Sequence, residues 1–321
     1  MLNPFIEKCI DINTEFCPCL LADTNHCTFC SKLQGKETCD CNWSGVCIFY
    51  EKYWQDKYKK SNQITQRIIE ECIALKQEQI GTKTYQLEFC VSKELAKKLD
   101  RPGSFVFLRR LSDPACSHFP VGVMKVNDTK ITVAIEAVGA KSSRFLLNSQ
   151  EKIHVRGPYY NGVLGKPWID SLADSTVVVV AGGIGQAPAL PILKQLLVNN
   201  NKIYLIAAPG KVQEIFIKPD VKHKLITLYG VTTLRGEGFA IFHDLLKRDI
   251  ALVISAGPDA QHSGIIRLMH DNNINIPMAA TNNAVMCCGE GLCGSCCQLT
   301  QGNKTVKMCK TQLNYQDLIQ D

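Results

Sequence analysis

The chain has 321 residues, enough for two ordinary domains and a small extra module. Apolar residues make up 45% and charged residues 21%, the balance of a globular protein, which excludes disordered, collagen-like and low-complexity classes. A net charge of +6 without a long run of one sign does not point to nucleic acid, and suits acidic protein partners equally well.

Cysteine is the departure from average usage: there are 17, gathered mainly at the two ends of the chain. The N-terminal residues carry no basic stretch followed by an apolar core, so no export signal is expected. The longest strongly apolar run, Val177–Ala181, is far too short to cross a bilayer. The expectation is a cytoplasmic protein with no membrane contact, in a reducing compartment where clustered cysteines hold metal.

Residues 1–50 hold Cys9, Cys17, Cys19, Cys27, Cys30, Cys39, Cys41 and Cys47. Few large apolar residues separate them, so this module cannot bury much of a core and needs a staple. Cys17, Cys19, Cys27, Cys30, Cys39, Cys41 and Cys47 are the candidate ligands. Their spacing matches neither a ferredoxin run nor a standard zinc knuckle pair, so 4Fe–4S and zinc both stand, with iron–sulfur preferred. His26 beside Cys27 is read as an exposed residue.

Residues 51–81 are expected to form a linking helix, because Ile64, Ile68, Cys72 and Leu75 recur at helical spacing before Gly81. Cys72 is read as a small buried apolar residue. From 82 to 165 the pattern changes to short strands. Tyr85, Leu87, Phe89 and Val91 alternate with polar residues; a short helix, Lys93–Leu99, follows. Strands Phe105–Leu108, Val121–Val126, Lys130–Ala137 and Lys152–Val155 come next, the last stopped by Gly157-Pro158, and together they suggest a small closed barrel.

From 166 to 280 strands and helices alternate, which implies a parallel sheet. Thr176–Ala181 reads as a strand buried on both faces. Gly182-Gly183-Ile184-Gly185 follows at once and then a helix through Leu197, which makes an anion site for a pyrophosphate. Strands Ile203–Ala207, Leu225–Leu228 and Ala251–Ala256 follow, the last ending at Gly257, with a helix at Ser263–His270. A nucleotide-free doubly wound fold, its glycines serving close packing, is the plainer alternative.

Residues 281–321 contain Cys287-Cys288-Gly289-Glu290-Gly291-Leu292-Cys293-Gly294-Ser295-Cys296-Cys297 and, beyond a hairpin-like segment, Cys309. Glycines between cysteines let the backbone wind tightly and turn its N–H groups toward sulfur. Cys288, Cys293, Cys296 and Cys309 are read as ligands of a 2Fe–2S cluster, with Cys287 and Cys297 as bystanders. Structural zinc prefers paired C-x-x-C knuckles across a longer loop, and a disulfide knot is the remaining alternative.

Barrel, then Gly-Gly-Ile-Gly-x-Ala-Pro, then a C-terminal C-G-x-G-x-C-x-x-C…C is an order that resembles the ferredoxin–NADP reductase superfamily. In particular, residues 82–310 resemble the electron-transfer subunit of dihydroorotate dehydrogenase and the small subunit of NADH-dependent ferredoxin:NADP oxidoreductase, an electron-bifurcating complex. The matching stretches are Pro102–Arg109, Gly157–Gly162, Ala181–Pro188 and Cys288–Cys309. The resemblance implies a mixed α+β and α/β architecture: an FAD-binding antiparallel β-barrel, a parallel-sheet domain for NAD(H) or NADP(H), and a C-terminal 2Fe–2S loop, plus the metal-stapled N-terminal module. It implies cofactor contacts at Pro120, Lys141, Ser142, Ser143, Gly157, Asn161, Gly182, Gly183, Gly185 and Gly257. It also implies other oxidoreductase subunits as partners and electrons passing from nicotinamide to flavin to cluster. No Ser/His/Asp or paired-carboxylate arrangement presents itself in the sequence, so no general acid or base is expected.

Two departures stand out. The family's flavin signature Arg-Pro-x-Ser is replaced by Phe119-Pro120-Val121-Gly122, and Lys141, Ser142 and Ser143 occupy the place of a glycine-rich stretch. A non-catalytic adaptor that has lost flavin is therefore the rival reading. After Ile203–Ala207 only Lys211 offers a charge for a 2′-phosphate, which favours NADH.

Overall fold

The structure is a computed structural model that describes residues 7–39, 47–58, 66–145 and 151–318. Cys41 and Ile64 lie outside the described residues.

A closed barrel is formed by β1 (Ile68–Gly81), β2 (Thr84–Cys90), β3 (Phe105–Arg110), β4 (Phe119–Asn127), β5 (Lys130–Glu136) and β6 (Lys152–Tyr159). The strands run β1-β2-β5-β4-β3-β6 around the barrel, every pair antiparallel. Alternation fills the interior: Leu87 and Phe89 of β2, Val106 and Leu108 of β3, Ile131 and Val133 of β5, and Ile153 and Val155 of β6 are fully buried or nearly so. Helix α2 (Lys93–Leu99) plugs one end with Leu95, Ala96 and Leu99. Ser92 caps this helix, its hydroxyl accepting from the Leu95 N–H at 3.2 Å.

Among the described residues the linking helix expected over 51–81 does not form: a mostly exposed helix α1 spans Ile48–Tyr58, and Ile68–Gly81 is the first barrel strand. Ile-Ile-Glu-Glu-Cys-Ile-Ala-Leu satisfies both periods. Pairing with β6 and β2 selects the two-residue one, which turns Cys72 and Ala74 inward and leaves Ile69, Ile73 and Leu75 exposed. The barrel therefore begins at Ile68. At its other end, β6 does not stop before Gly157: Gly157 pairs with Ile68 and the strand runs to Tyr159.

The second domain is a six-stranded sheet of β7 (Val163–Leu164), β8 (Thr176–Gly182), β9 (Lys202–Ala208), β10 (Ile226–Gly230), β11 (Leu252–Ala256) and β12 (Met278–Thr281). Its order is β10-β9-β8-β11-β12-β7, parallel except for β7. Central strand β8 is covered on both faces, and Val177 to Val180 are fully buried. Helix α3 (Gln186–Val198) leaves the end of β8, and α4 (Asp259–Asp271) leaves the end of β11. Among the described residues no helix is long and apolar enough to cross a membrane.

The C-terminal cysteine segment lies between the two domains. Cys296, Met308, Cys309 and Leu313 share one core with Phe105, Phe107 and Tyr159 of the barrel and with β8, β11 and β12 of the sheet. The N-terminal module joins this segment by a two-residue antiparallel ladder, Lys8 with Gln312 and Cys9 with Thr311. Its own core is small: Ala22, Cys27, Cys30, Leu33 and Ile48. Truncating a fully buried barrel side chain such as Phe89→Ala is expected to cost about 3–5 kcal/mol, read as a lower denaturant midpoint with an unchanged slope.

Candidate functional site

A cleft of about 390 Å³ opens between barrel and sheet. Its barrel wall is Phe105, Phe119, Pro120, Val121, Gly122 and Glu136, with Ser142 at the rim; its sheet wall is Ile184, Gly185, Gly257, Thr281 and Asn283, at the carboxyl ends of the strands. This is where an open parallel sheet binds its ligands. A larger groove of about 550 Å³ runs along α3, bridged by Lys125–Asp220 at 2.6 Å and Lys194–Asp100 at 2.7 Å. It contains none of the expected site residues.

The expected cofactor residues divide. Pro120, Ser142, Gly185 and Gly257 line the cleft. Gly185 packs so tightly that a Cβ would lie 2.3 Å from the Ala256 carbonyl, and this brings α3 against the end of β11. Gly182 and Gly183 are not among the lining residues; a Cβ on Gly182 would meet Gln261 Oε1 at 2.3 Å. Lys141 turns away and donates to the His118 carbonyl at 3.0 Å, while Ser143 is exposed on the short helix Ala140–Arg144. Gly157 faces the barrel interior, where a Cβ would stand 3.0 Å from Val106 Cγ1. Asn161 is fully buried and donates to the carbonyls of Met308 and Thr311, so it anchors the cysteine segment and not a ligand. Among the described residues no Lys or Arg lines the cleft.

The cysteine loop continues directly from the cleft: Met286 lines it, and Cys287 and Cys288 follow. His118 Nε2 lies 2.9 Å from the Cys287 carbonyl, and Arg156 donates to the Cys288 carbonyl at 3.2 Å. The loop lies on an aromatic wall. Gly289, at φ +73°, leaves no room for a Cβ, which would meet Tyr159 at 2.7 Å and Phe107 at 2.8 Å.

Cys288 neighbours Cys293, and Cys296 neighbours Cys309. The Glu290 N–H points to the Cys288 sulfur at 3.3 Å, and the Cys309 N–H to the Cys296 sulfur at 3.4 Å. Burial pushes the Cys293 thiol up, but hydrogen bonding from Ser295 and Cys288 outweighs it and leaves the group at about 6. The Cys309 thiol holds Cys296 at about 6 in the same way, against its burial. Four thiols with backbone donors aimed at sulfur are a donor set for an iron–sulfur cluster. Cys287 and Cys297 are exposed, and Cys297 opens the hairpin of Cys297–Leu299 with Thr305–Lys307. In the N-terminal module Cys27 and Cys30 are buried, Cys17, Cys19 and Cys47 half-buried and Cys39 exposed. Among the described residues no three His, Cys, Asp or Glu side chains close on a single-ion site.

Charge pattern along the chain did not reveal what locks this loop in place. Buried Asp11 (2% exposed), Arg67 and Lys310 (1% exposed) form an ionic knot with the half-buried Glu290. Arg67 bonds Asp11 at 2.8 Å, Glu290 at 3.0 Å and the Pro158 carbonyl at 2.9 Å, and its guanidinium lies 3.8 Å from the centre of the Phe16 ring. Lys310 bonds Asp11 at 2.5 Å and Glu290 at 2.9 Å. Burial alone would push Lys310 down, but the two carboxylates hold it well above its ordinary range.

Behind the sheet wall, His262 is fully buried, with Ser255 Oγ 2.7 Å from Nδ1 and the Thr281 carbonyl 3.1 Å from Nε2. A carbonyl only accepts, so Nε2 carries the proton and Nδ1 accepts from Ser255. Burial lowers this histidine to about 4.

The six-stranded antiparallel barrel joined to a parallel sheet is the ferredoxin reductase-like fold. It superposes on a chain of the NADH-dependent reduced ferredoxin–NADP oxidoreductase structure with TM-score 0.61 and 18% identity, covering 81% of this chain and 91% of that one. Within that class the chain is similar in sequence to proteins named as electron transfer subunits of dihydroorotate dehydrogenase B (NAD(+)). It is 25% identical to that of Clostridium perfringens over 60% of this chain and 76% of the other. It is 27% identical to that of Clostridium acetobutylicum over 65% and 82%. The sulfhydrogenase 2 subunit gamma of Pyrococcus furiosus is 25% identical over 67% and 82%. No family model matches the chain.

Two outcomes follow from this geometry. Asp11→Asn leaves the cations Arg67 and Lys310 facing only Glu290 and is expected to cost on the order of 3–5 kcal/mol. Asp11→Leu combined with Lys310→Met removes a whole pair and should recover most of that loss in the same denaturation experiment. His262 stays neutral in the fold while the unfolded chain takes up a proton, so its contribution is present above pH 6.5 and is lost as pH falls toward about 4. That loss amounts to roughly 3 kcal/mol. Unfolding free energies measured across this window should fall for the wild type and fall less for His262→Gln.

Proposed function

We propose that the chain is the electron-transfer subunit of a larger oxidoreductase, passing electrons between a reduced nicotinamide, FAD and an iron–sulfur cluster, and on to a partner subunit. The observation that carries this reading is continuity: the cleft at the sheet's carboxyl ends runs into the cysteine loop through Met286 and Cys288, within one shared core. The homologues named as electron transfer subunits of dihydroorotate dehydrogenase B support it, as does the gamma subunit of sulfhydrogenase 2.

On this reading Phe119, Pro120, Val121, Gly122 and Ser142 would hold the flavin, and Ile184, Gly185, Gly257 and Asn283 the nicotinamide nucleotide. A bound flavin would supply the conversion between a two-electron hydride and single electrons. A cluster on Cys288, Cys293, Cys296 and Cys309 would supply one-electron carriage. The chain's own residues bind and orient. Phe105 and Phe119 exclude water from the barrel side, the N-terminus of α3 points its positive dipole end at the cleft, and Arg156 and His118 fix the loop to the barrel. The absence of a basic residue from the nucleotide-side lining, with only exposed Lys211 after β9, favours NADH over NADPH.

The adaptor reading keeps one observation in its favour: without a Lys or Arg in the lining, a flavin phosphate has no charged partner there. Flavin content separates the two. Protein purified without oxygen is expected to carry FAD, to be bleached by NADH, and to show the electron paramagnetic resonance signal of a reduced cluster. Cys288→Ser with Cys296→Ser should keep FAD and bleaching while losing that signal. Fully metallated protein without flavin would establish the adaptor instead.

A further inference from the structure

One side chain on the sheet wall of the cleft has its polarity fixed by its own anchoring. Asn283 follows β12 and lines the cleft beside Gly257 and Pro258. Its Nδ2 donates to the Gly257 carbonyl at 2.8 Å and to Asp259 Oδ1 at 3.0 Å. A carbonyl and a carboxylate only accept, so the amide cannot turn over: reversed, it would set Oδ1 against two other oxygens. Both Nδ2 hydrogens are therefore taken. His262 Nε2 also lies 3.2 Å from Nδ2, but its own hydrogen is directed at the Thr281 carbonyl, 3.1 Å away. Asn283 is exposed, and among the described residues no group donates to its Oδ1. The side chain thus offers the cleft an acceptor and no donor.

Its neighbours in the lining are already occupied. Thr281 Oγ1 accepts from the Gly257 N–H and donates to the Gly257 carbonyl, each at 3.1 Å. Asn282 is tied elsewhere: Nδ2 donates to the Asn161 and Met308 carbonyls, and Oδ1 accepts from the Ala284 N–H.

The order of the sheet says which part of a dinucleotide meets the Asn283 oxygen. A pyrophosphate belongs at the N-terminus of α3, which follows β8. The adenosine ribose is read at the end of the next strand, here β9, on one side of β8. Strands β11 and β12 lie on the other side. A dinucleotide stretched along this edge brings its nicotinamide to Gly257 and Asn283. That ring carries one N–H donor group, the amine of its carboxamide.

We propose that Asn283 orients the nicotinamide, its Oδ1 accepting from the carboxamide N–H while Gly257 and Asp259 hold the amide in place. This rests on the nicotinamide reading of the cleft given above. It makes the cleft selective for a carboxamide over a methyl ketone, which has the same shape and the same oxygen but no N–H.

The test uses the full chain purified with its cofactors and kept oxidised. It is titrated calorimetrically with NAD+ and with the 3-acetylpyridine analogue of NAD+, in which a methyl group replaces the amide nitrogen. No hydride moves between an oxidised nucleotide and an oxidised protein, so the measurement reads binding alone. The wild type is expected to bind NAD+ roughly tenfold more tightly than the analogue, the worth of one hydrogen bond. Asn283→Ala should bring the two affinities together by weakening NAD+ and sparing the analogue. Asn283→Leu, close to asparagine in shape, serves in its place should the alanine variant fail to fold. Equal affinities in the wild type overturn the proposal, as does a preference for NAD+ that survives the loss of Asn283. Either result leaves the nicotinamide reading standing, since both nucleotides still bind. If neither binds, that reading has failed and this proposal falls with it.

Discussion

Two carboxylates and two cations, all but the half-exposed Glu290 buried, hold three distant parts of this chain together. Asp11 comes from the N-terminal module, Arg67 from the segment entering the barrel, and Glu290 and Lys310 from the cysteine segment. Each anion meets both cations and each cation meets both anions, so charges that would be costly alone are mutually compensated. Such a network contributes less to net stability than to uniqueness: any other placement of the cysteine loop strands a charge in a dry interior. Glu290 and Lys310 are neighbours in sequence of candidate ligands, so the position of the thiols is set by the same knot.

The aromatic wall works beside it. Phe107 and Tyr159 present their rings to the loop, with Phe105 stacked on Tyr159, and Arg156 lies over Phe107 and Arg67 over Tyr159. Cation–π contacts of this kind keep two guanidinium groups attached to the barrel while their N–H groups reach the loop. Asn161, fully enclosed, then ties the far end through Met308 and Thr311. The loop is thus braced from the barrel, from the sheet and from the N-terminal module, and only the face bearing Cys287, Cys293 and Cys297 remains exposed.

How much of this could be read from residues alone depended on whether local period and local chemistry agreed. Thr176–Gly182 has one reading, since a β-branched run followed by glycines fits a buried parallel strand and nothing else nearby. Ile68–Gly81 had two, because its apolar residues fit a helix as well as a strand, and the choice was made by hydrogen bonds to β6 and β2 some distance along the chain. Gly157 and Asn161 sit in a stretch that resembles a cofactor-binding one, but their neighbours in space are Val106, Met308 and Thr311, none of them near in sequence.

What the sequence by itself determined was chemistry that is local: a thiol-rich loop wound on glycines, a strand–glycine–helix turn, and the alternation that closes a barrel. Spacing of a few residues decides these, because the interacting groups lie within one turn or one strand. What only the tertiary structure decided was everything that needs partners from separate segments. The cleft required barrel and sheet to be set against each other, and the knot required Asp11 to meet Lys310 across almost the whole chain. A single acidic or basic residue carries no mark of its partner, so its pairing appears only when the core has brought both into the same low-dielectric space.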